Sequence, residues 1–331
     1  MEWGSEEAEQ IHSTNMSFEA KGEALEKQAA AACAPPTGLF AGLSKMMNPV
    51  ATRMENAAAL YKDAAAQYKR ASAFGRAGDA HVKQAECYKA ADSITEASGA
   101  YKDACTMYKK SGDIKKAVGF NVMLAEMYEE KSRTSQAAKV YGELSLMYQE
   151  INQDEDAILS FESQARCYVI LDQSMHEIET KTKLADLCAK LERYPKAIEL
   201  YEEVAEPRNG RPNNRANEIY WKAMLCHMVN EIKTTGDIKM SAAHLTRYAD
   251  LSPNFDKGVN RRNYVLLQKL FDAFAAESKD QFEIALQEHE RAAGTLTAWD
   301  IKCLGIVKDS LENPSMGDAV GAGEEDEPDW S

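Results

Sequence analysis

The chain has 331 residues, 44% hydrophobic and 28% charged, with 53 acidic against 39 basic side chains and a formal net charge of −14. That balance excludes a general nucleic-acid binder, because phosphate binding needs a basic stripe. No run of about 18 apolar residues occurs, so no bilayer-spanning helix is expected.

The chain begins MEWGSEEAEQ, acidic and without the apolar stretch of a secretory leader, and is expected to be cytoplasmic. A short helix of about 17–32 comes first, followed by APPTGLFAGLSKMM at 34–47. This Gly/Pro-rich loop carries Leu39, Phe40, Leu43, Met46 and Met47, which are costly in water unless something covers them. Two readings stand side by side: a staple packing the loop onto the first helix pair, or a shallow wedge at a membrane interface with Lys45 facing the headgroups.

A repeat follows. YKDAAAQYKRA at 61–71 returns as YKDACTMYKKS at 101–111 and as YGELSLMYQEI at 141–151. Steps of twenty from Tyr68 meet Tyr88, Tyr108, Tyr128, Tyr148 and Tyr168, then Cys188. Steps of twenty from Ala57 meet Ala77, Ala97, Ala117, Ala137 and Ala157, miss at Glu177, and return at Ala197. The matching turn positions are Ser72, Asp92, Gly112, Ser132, Asn152 and Asp172, mostly residues that cap helices or bend chains. No proline falls between Val50 and Leu191, and no period-two β-branched run occurs. The spacing predicts antiparallel helix pairs of forty residues in an all-α, tetratricopeptide-like solenoid, a twisted sheet of helix pairs. Alanine lets neighbouring helices approach, and tyrosine fills the groove between them. A ligand-contacting role for the hydroxyl ends is secondary.

The register breaks at EPRNGRPNNRANE, residues 206–218. Helical stretches without the grid follow at roughly 215–232, 237–250, 258–276, 280–293 and 296–312, and are expected to form a C-terminal helical bundle. The division expected is therefore 17–205 for the helix-pair solenoid, 206–312 for the bundle and 313–331 for an acidic flexible tail.

Chemistry is sparse. The seven cysteines are scattered and never form a CxxC pair, and the six histidines show no HxxxH or HExxH spacing, so neither a metal nor a disulfide framework is expected. No GxxxxGK[ST], GxGxxG or GxSxG occurs, and no cofactor or catalytic residue is assigned; an adaptor, not an enzyme, is expected. Lysines are scattered along the repeats at Lys62, Lys69, Lys89, Lys102, Lys115, Lys116, Lys181 and Lys183; gathered on one face they would attract and orient an acidic partner. The tail GEEDEPDWS holds Glu324, Glu325, Asp326 and Asp329 beside Trp330, an aromatic suited to a basic, partly apolar pocket. Asp272 and Glu277 near Glu231 suggest an acidic patch on the bundle.

Taken together, GLFAGLSK after the first helix, AEMYEE at 125–130, YPKAIELYEEV at 194–204, KAMLCH at 222–227, LTAWDIKCLGIVKDSL at 296–311 and the acidic end resemble the soluble NSF attachment proteins, nearest the alpha/beta type. The resemblance runs from about Ser17 to the C-terminus. It implies a non-enzymatic adaptor that lays its concave face along the four-helix bundle of syntaxin-type and other SNARE helices. Such an adaptor recruits the hexameric ATPase NSF through its C-terminal bundle and stimulates it to pull the SNARE complex apart, in the vesicle fusion cycle. Peripheral membrane association through the apolar loop is implied as well.

On the resemblance, the scattered lysines Lys62, Lys69, Lys89, Lys115, Lys116, Lys181 and Lys183 are expected to face the SNARE bundle, Lys183 standing where the family has a lysine; Glu231, Asp272, Glu324, Glu325, Asp326, Asp329 and Trp330 are expected to meet NSF. Departures are present. Pro35 and Pro36 stand where the family has a phenylalanine pair, Trp330 replaces a penultimate leucine, Gly119 and Glu179 replace basic residues, and Ala275 and Ala276 replace a carboxylate pair. Residues 1–16 and the MGDAVGAG spacer have no counterpart and are expected to be disordered. The alternative from the repeat alone is a generic tetratricopeptide-like scaffold that binds a peptide or a chaperone terminus.

Overall fold

The computed structural model describes residues 3–35, 49–206, 215–252, 255–257, 261–293 and 296–311. These residues are all-α, with fourteen helices and no strand among them. Contacts divide the chain into two units, Met1–Gln173 and Ser174–Ser331.

The first unit contains α1 (Trp3–Cys33), α2 (Val50–Arg70), α3 (Phe74–Ala90), α4 (Ile94–Ser111), α5 (Ile114–Glu130), α6 (Thr134–Glu150) and α7 (Asp154–Ile170). Each helix packs on the next in sequence. That nearest-neighbour pattern is the solenoid-like arrangement the forty-residue period predicts. The alanines of the twenty-step series, Ala57 through Ala157, are all fully buried. Between them Tyr68, Tyr101 and Tyr108 are also buried, so these three are core residues, while Tyr88, Tyr128, Tyr148 and Tyr168 are half-buried. Their hydroxyls are not left unmet: Tyr108 donates to Asp79 Oδ1 at 2.7 Å and Tyr68 to Glu26 Oε2 at 3.3 Å. Phe120 stacks on both Tyr101 and Tyr108, with centroids 5.8 and 5.6 Å away. Truncating one of these buried rings to alanine would cost roughly 3–5 kcal/mol.

The turns explain why the period holds. At Ser72, Asp92, Gly112, Ser132, Asn152, Asp172 and Glu192 the backbone has φ between 52° and 79°, the left-handed conformation. In each case the following N–H donates to the carbonyl five residues back, as Ala73 does to Tyr68 at 2.9 Å and Arg193 does to Cys188 at 2.8 Å. The left-handed residue itself donates three residues back, as Ser72 does to Lys69 at 3.1 Å. These are Schellman caps, and they satisfy the carbonyls that a helix end leaves open. Six of the seven use a residue other than glycine, mainly Ser, Asp or Asn, whose side chains tolerate that conformation best after glycine.

One boundary differs from expectation. Helical backbone begins at Trp3, across residues 3–16 expected to be disordered, so the first helix is nearly twice the length expected. The stretch has no proline and includes Glu6, Glu7, Ala8, Glu9 and Gln10, all strong helix formers, so local propensity favours helix even without a family counterpart.

The second unit contains α8 (Ser174–Lys190), α9 (Tyr194–Ala205), α10 (Ala216–Thr235), α11 (Lys239–Leu251), α12 (Arg261–Ala275), α13 (Lys279–Ala293) and α14 (Ala298–Ser310). The twenty-residue grid thus runs on through α8 and α9, across the point where contacts divide the chain. In this unit α10 is central, packing on α9, α11 and α14. Two motifs acquire a structural reason here. In LTAWD, Thr297 caps α14 by accepting from the Asp300 N–H at 3.1 Å, and Asp300 Oδ2 accepts from the Thr297 N–H at 2.9 Å, a reciprocal capping box. The other Asp300 oxygen accepts from the buried Trp221 indole N–H at 3.1 Å, which ties α14 to α10.

Candidate interaction surfaces

Lys62 and Lys69 are seven residues apart, two turns of α2, and therefore share one face. Lys102 and Lys109 occupy the same two positions forty residues on, in α4. All four are exposed and make no ion pair among the described residues. Between them on that face stand Ala59, Ala66, Gly99 and Thr106, small and uncharged. The series stops at α6, where the equivalent positions hold Gly142 and Gln149. Lys109 was not among the expected residues; the forty-residue period is the signal that finds it. Lys89, also exposed, lies in the last turn of α3, where a cation complements the helix dipole.

The remaining lysines differ. Lys115 is exposed on α5. Lys116 lies over the Tyr108 ring at 5.1 Å and within 3.5 Å of Asp79, so part of its charge is already answered. Lys183 is paired with Glu179 at 2.8 Å, and that hydrogen bond holds the Glu179 carboxyl below its usual range. Lys181 is a different case again: its side chain is only 17% exposed, between Glu177 at 2.9 Å and Glu203. Burial works against its charge, yet the hydrogen bonds to Glu203 and Glu177 outweigh that and raise its pKa. Glu177 is the residue that interrupts the alanine series, so the exception in the grid and the buried lysine are one structural feature.

On the second unit, Glu231 is not a surface acid. It is 9% exposed and caps α11, accepting from the Met240 N–H at 2.6 Å and the Ser241 N–H at 2.7 Å. A carboxylate at a helix N-terminus is stabilised by the open N–H groups and the dipole. Asp272 is exposed, and with Asp237, Glu277, Phe271 and Phe274 it lines an open groove of about 720 Å³ beside the end of α14. Among the described residues Lys239 is the one basic residue on its rim, and it is held by Asp237 at 2.6 Å. The groove combines acidic and aromatic character.

Leu39, Phe40, Leu43, Met46 and Met47 lie outside the described residues, as do Glu324, Glu325, Asp326, Asp329 and Trp330. No helix among the described residues is long and apolar enough to cross a membrane.

The histidine spacing gives no sign of a further cluster. His227 on α10 and His244 on α11 stack with ring centroids 3.8 Å apart, and Glu202 on α9 stands beside them, its Oε1 3.5 Å from His227 Nε2. Tyr248, fully buried, donates its hydroxyl to the same Oε1 at 2.5 Å, and Arg247 reaches that oxygen at 3.2 Å. The hydrogen bond from His227, aided by Tyr248 and Arg247, holds the Glu202 carboxyl at about 2 against the cost of burial. Burial and the neighbouring His227 push the His244 imidazole below its ordinary value.

The family model for soluble NSF attachment protein, SNAP, matches residues 20–312. Among curated proteins, the chain is 27% identical to the beta-soluble NSF attachment protein of Bos taurus over 166 residues, 50% of this chain and 52% of that one. It is 29% identical to the alpha-soluble NSF attachment protein of Vitis vinifera over 165 residues, 48% and 52% of the two chains. A probable vesicular-fusion protein sec17 homolog of Neurospora crassa is 30% identical over 132 residues, 39% of this chain and 42% of that one. The chain spans about half the length of the curated relatives it matches, while the family model covers most of it. On that match the chain belongs to the soluble NSF attachment protein family.

Proposed function

We propose that this chain is an adaptor, without catalytic chemistry of its own, that binds the SNARE four-helix bundle and recruits and stimulates NSF for its disassembly. The family match over residues 20–312 is the observation that carries this reading. The exposed face of Lys62, Lys69, Lys102 and Lys109 supports it, because the SNARE bundle that the family resemblance implies is long and largely acidic. Lys89 and Lys115 extend the basic surface, and Lys183 and Lys116 join it by exchanging their present partners. Lys181 does not take part, since two carboxylates already hold it.

For NSF, the acidic and aromatic groove around Asp272 and the tail with Trp330 are proposed as the contact; Glu231 serves that surface by fixing α11 rather than by touching the partner. The apolar residues of 39–47 are proposed to rest shallowly in a membrane interface, so that the chain is cytoplasmic and peripherally membrane-associated.

The test is a binding titration against a preformed SNARE bundle. Changing Lys62, Lys69, Lys102 and Lys109 together to Glu should weaken affinity at least about tenfold and flatten its dependence on salt. Unchanged affinity would remove the lysine face from the reading. Affinity that ignores salt in the unaltered chain would favour an apolar peptide groove instead.

A further inference from the structure

We propose that Glu202, His227 and His244 form a binding site for one divalent transition cation, of the class that takes imidazole and carboxylate ligands, with Zn²⁺ as the natural probe. One ligand atom from each of the three residues lies within 4.8 Å of the others. In a tetrahedral site with bonds of about 2.0–2.2 Å, ligand atoms stand roughly 3.4 Å apart, so no pair has to close by more than about 1.4 Å. Rotation of the two imidazoles out of their stack supplies such a movement without displacing the helices that carry them.

The donor set is also chemically available. His244 is half-buried and makes no hydrogen bond among the described residues, so its ring nitrogens are open to a ligand. The contacts of Glu202 with His227, Tyr248 and Arg247 all fall on Oε1, which leaves Oε2 open among the described residues. Tyr248 supports the site as an outer partner: its hydroxyl lies 3.0 Å from His227 Nε2 and bonds Glu202, so it orients both ligands at once. Arg247 opposes the cation electrostatically, but its side chain is 48% exposed and can turn to solvent.

The three ligands come from α9, α10 and α11. A bound cation would therefore join the last helix of the repeat register to the first two of the terminal bundle and stabilise that part of the chain by mass action. Imidazole with carboxylate selects zinc-like ions over calcium or magnesium, which prefer oxygen alone.

The experiment uses the full chain stripped of metal with a chelator. Calorimetric titration with Zn²⁺ should give one site, and Zn²⁺ should raise the melting temperature. Co²⁺ as a spectroscopic probe should give the visible bands of a four-coordinate site without a thiolate charge-transfer band, which separates these ligands from the cysteines. His244→Ala should weaken Zn²⁺ by more than the roughly 10–100-fold that loss of an outer partner costs, and Tyr248→Phe by about that amount. Should His244→Ala fail to fold, as judged by circular dichroism, His227→Gln takes its place. No binding in the unaltered chain would overturn the proposal. So would equal affinity in the ligand variant, or a thiolate band with Co²⁺. SNARE and NSF enter none of these readouts, so the outcome is independent of the adaptor role.

Discussion

A methyl group on Gly78 would stand 2.8 Å from the Tyr108 ring, whereas one on Gly119 would meet nothing within 4 Å. Both glycines are inside helices, so alanine would favour each by up to about 1 kcal/mol on propensity alone. The neighbours decide the sign. Tyr108 is held by its hydrogen bond to Asp79, by Phe120 on its face and by Lys116 above it, and has nowhere to move. Gly78→Ala should therefore destabilise by roughly 1–2 kcal/mol, the overpacking penalty less the propensity gain. Gly119→Ala should stabilise by about 0.5–1 kcal/mol. Denaturant melts of both variants check the pair. The sequence shows two helical glycines; only the packing distinguishes them. The same limit applies to Glu231 and Lys181. Their charge is written in the sequence, but it is answered by backbone N–H groups and by carboxylates that the fold brings from other turns and helices.

Helix caps were the more legible part of the elements. The turn residues at twenty-residue steps are left-handed caps in the structure, and the terminal helices begin and end within a few residues of the pattern breaks. The start of α1 was not legible, because residues 3–16 carry helix formers but no repeat period in the sequence. Nor was the meeting of His227 and His244, which depends on how α10 and α11 pair and not on any local spacing.

Asp300 serves two elements at once, and Asp300→Ala would remove the capping box and leave the buried Trp221 N–H without an acceptor. The two losses together should cost roughly 2–4 kcal/mol, measured by chemical unfolding, while a variant at exposed Asp272 should change stability little. A second element-level prediction concerns pH. Glu192 bonds Lys233 at 2.5 Å and Lys302 at 3.0 Å, and these hydrogen bonds hold its carboxyl at about 2. Its folded pKa is depressed, so the stability it contributes is present above its ordinary value of 4.5 and is lost as pH falls from there toward 2. Melting temperatures of the unaltered chain and Glu192→Gln should differ near neutrality and converge across that window. A constant difference would mean that the pair stabilises nothing that titrates.

At the scale of the molecule, the exposed lysines of α2 and α4 form a local basic stripe within a chain of net charge −14. Acids concentrate at the C-terminal end, with six in Asp318–Ser331 and no basic residue among them, and in the groove beside α14. The family was readable from motif order; the ion pairs of Lys116, Lys181 and Lys183 were not, because their carboxylate partners come from turns and helices that only the fold brings together.

The measurement that tests this most directly combines the purified chain, a preformed SNARE bundle, NSF and ATP, with loss of the bundle followed by fluorescence dequenching. Disassembly should require the chain, should fall when Trp330 is deleted, and should fall further when the four lysines of α2 and α4 are reversed. Disassembly that proceeds equally without the chain, or none at all with SNAREs and NSF from the matching organism, would contradict the adaptor role.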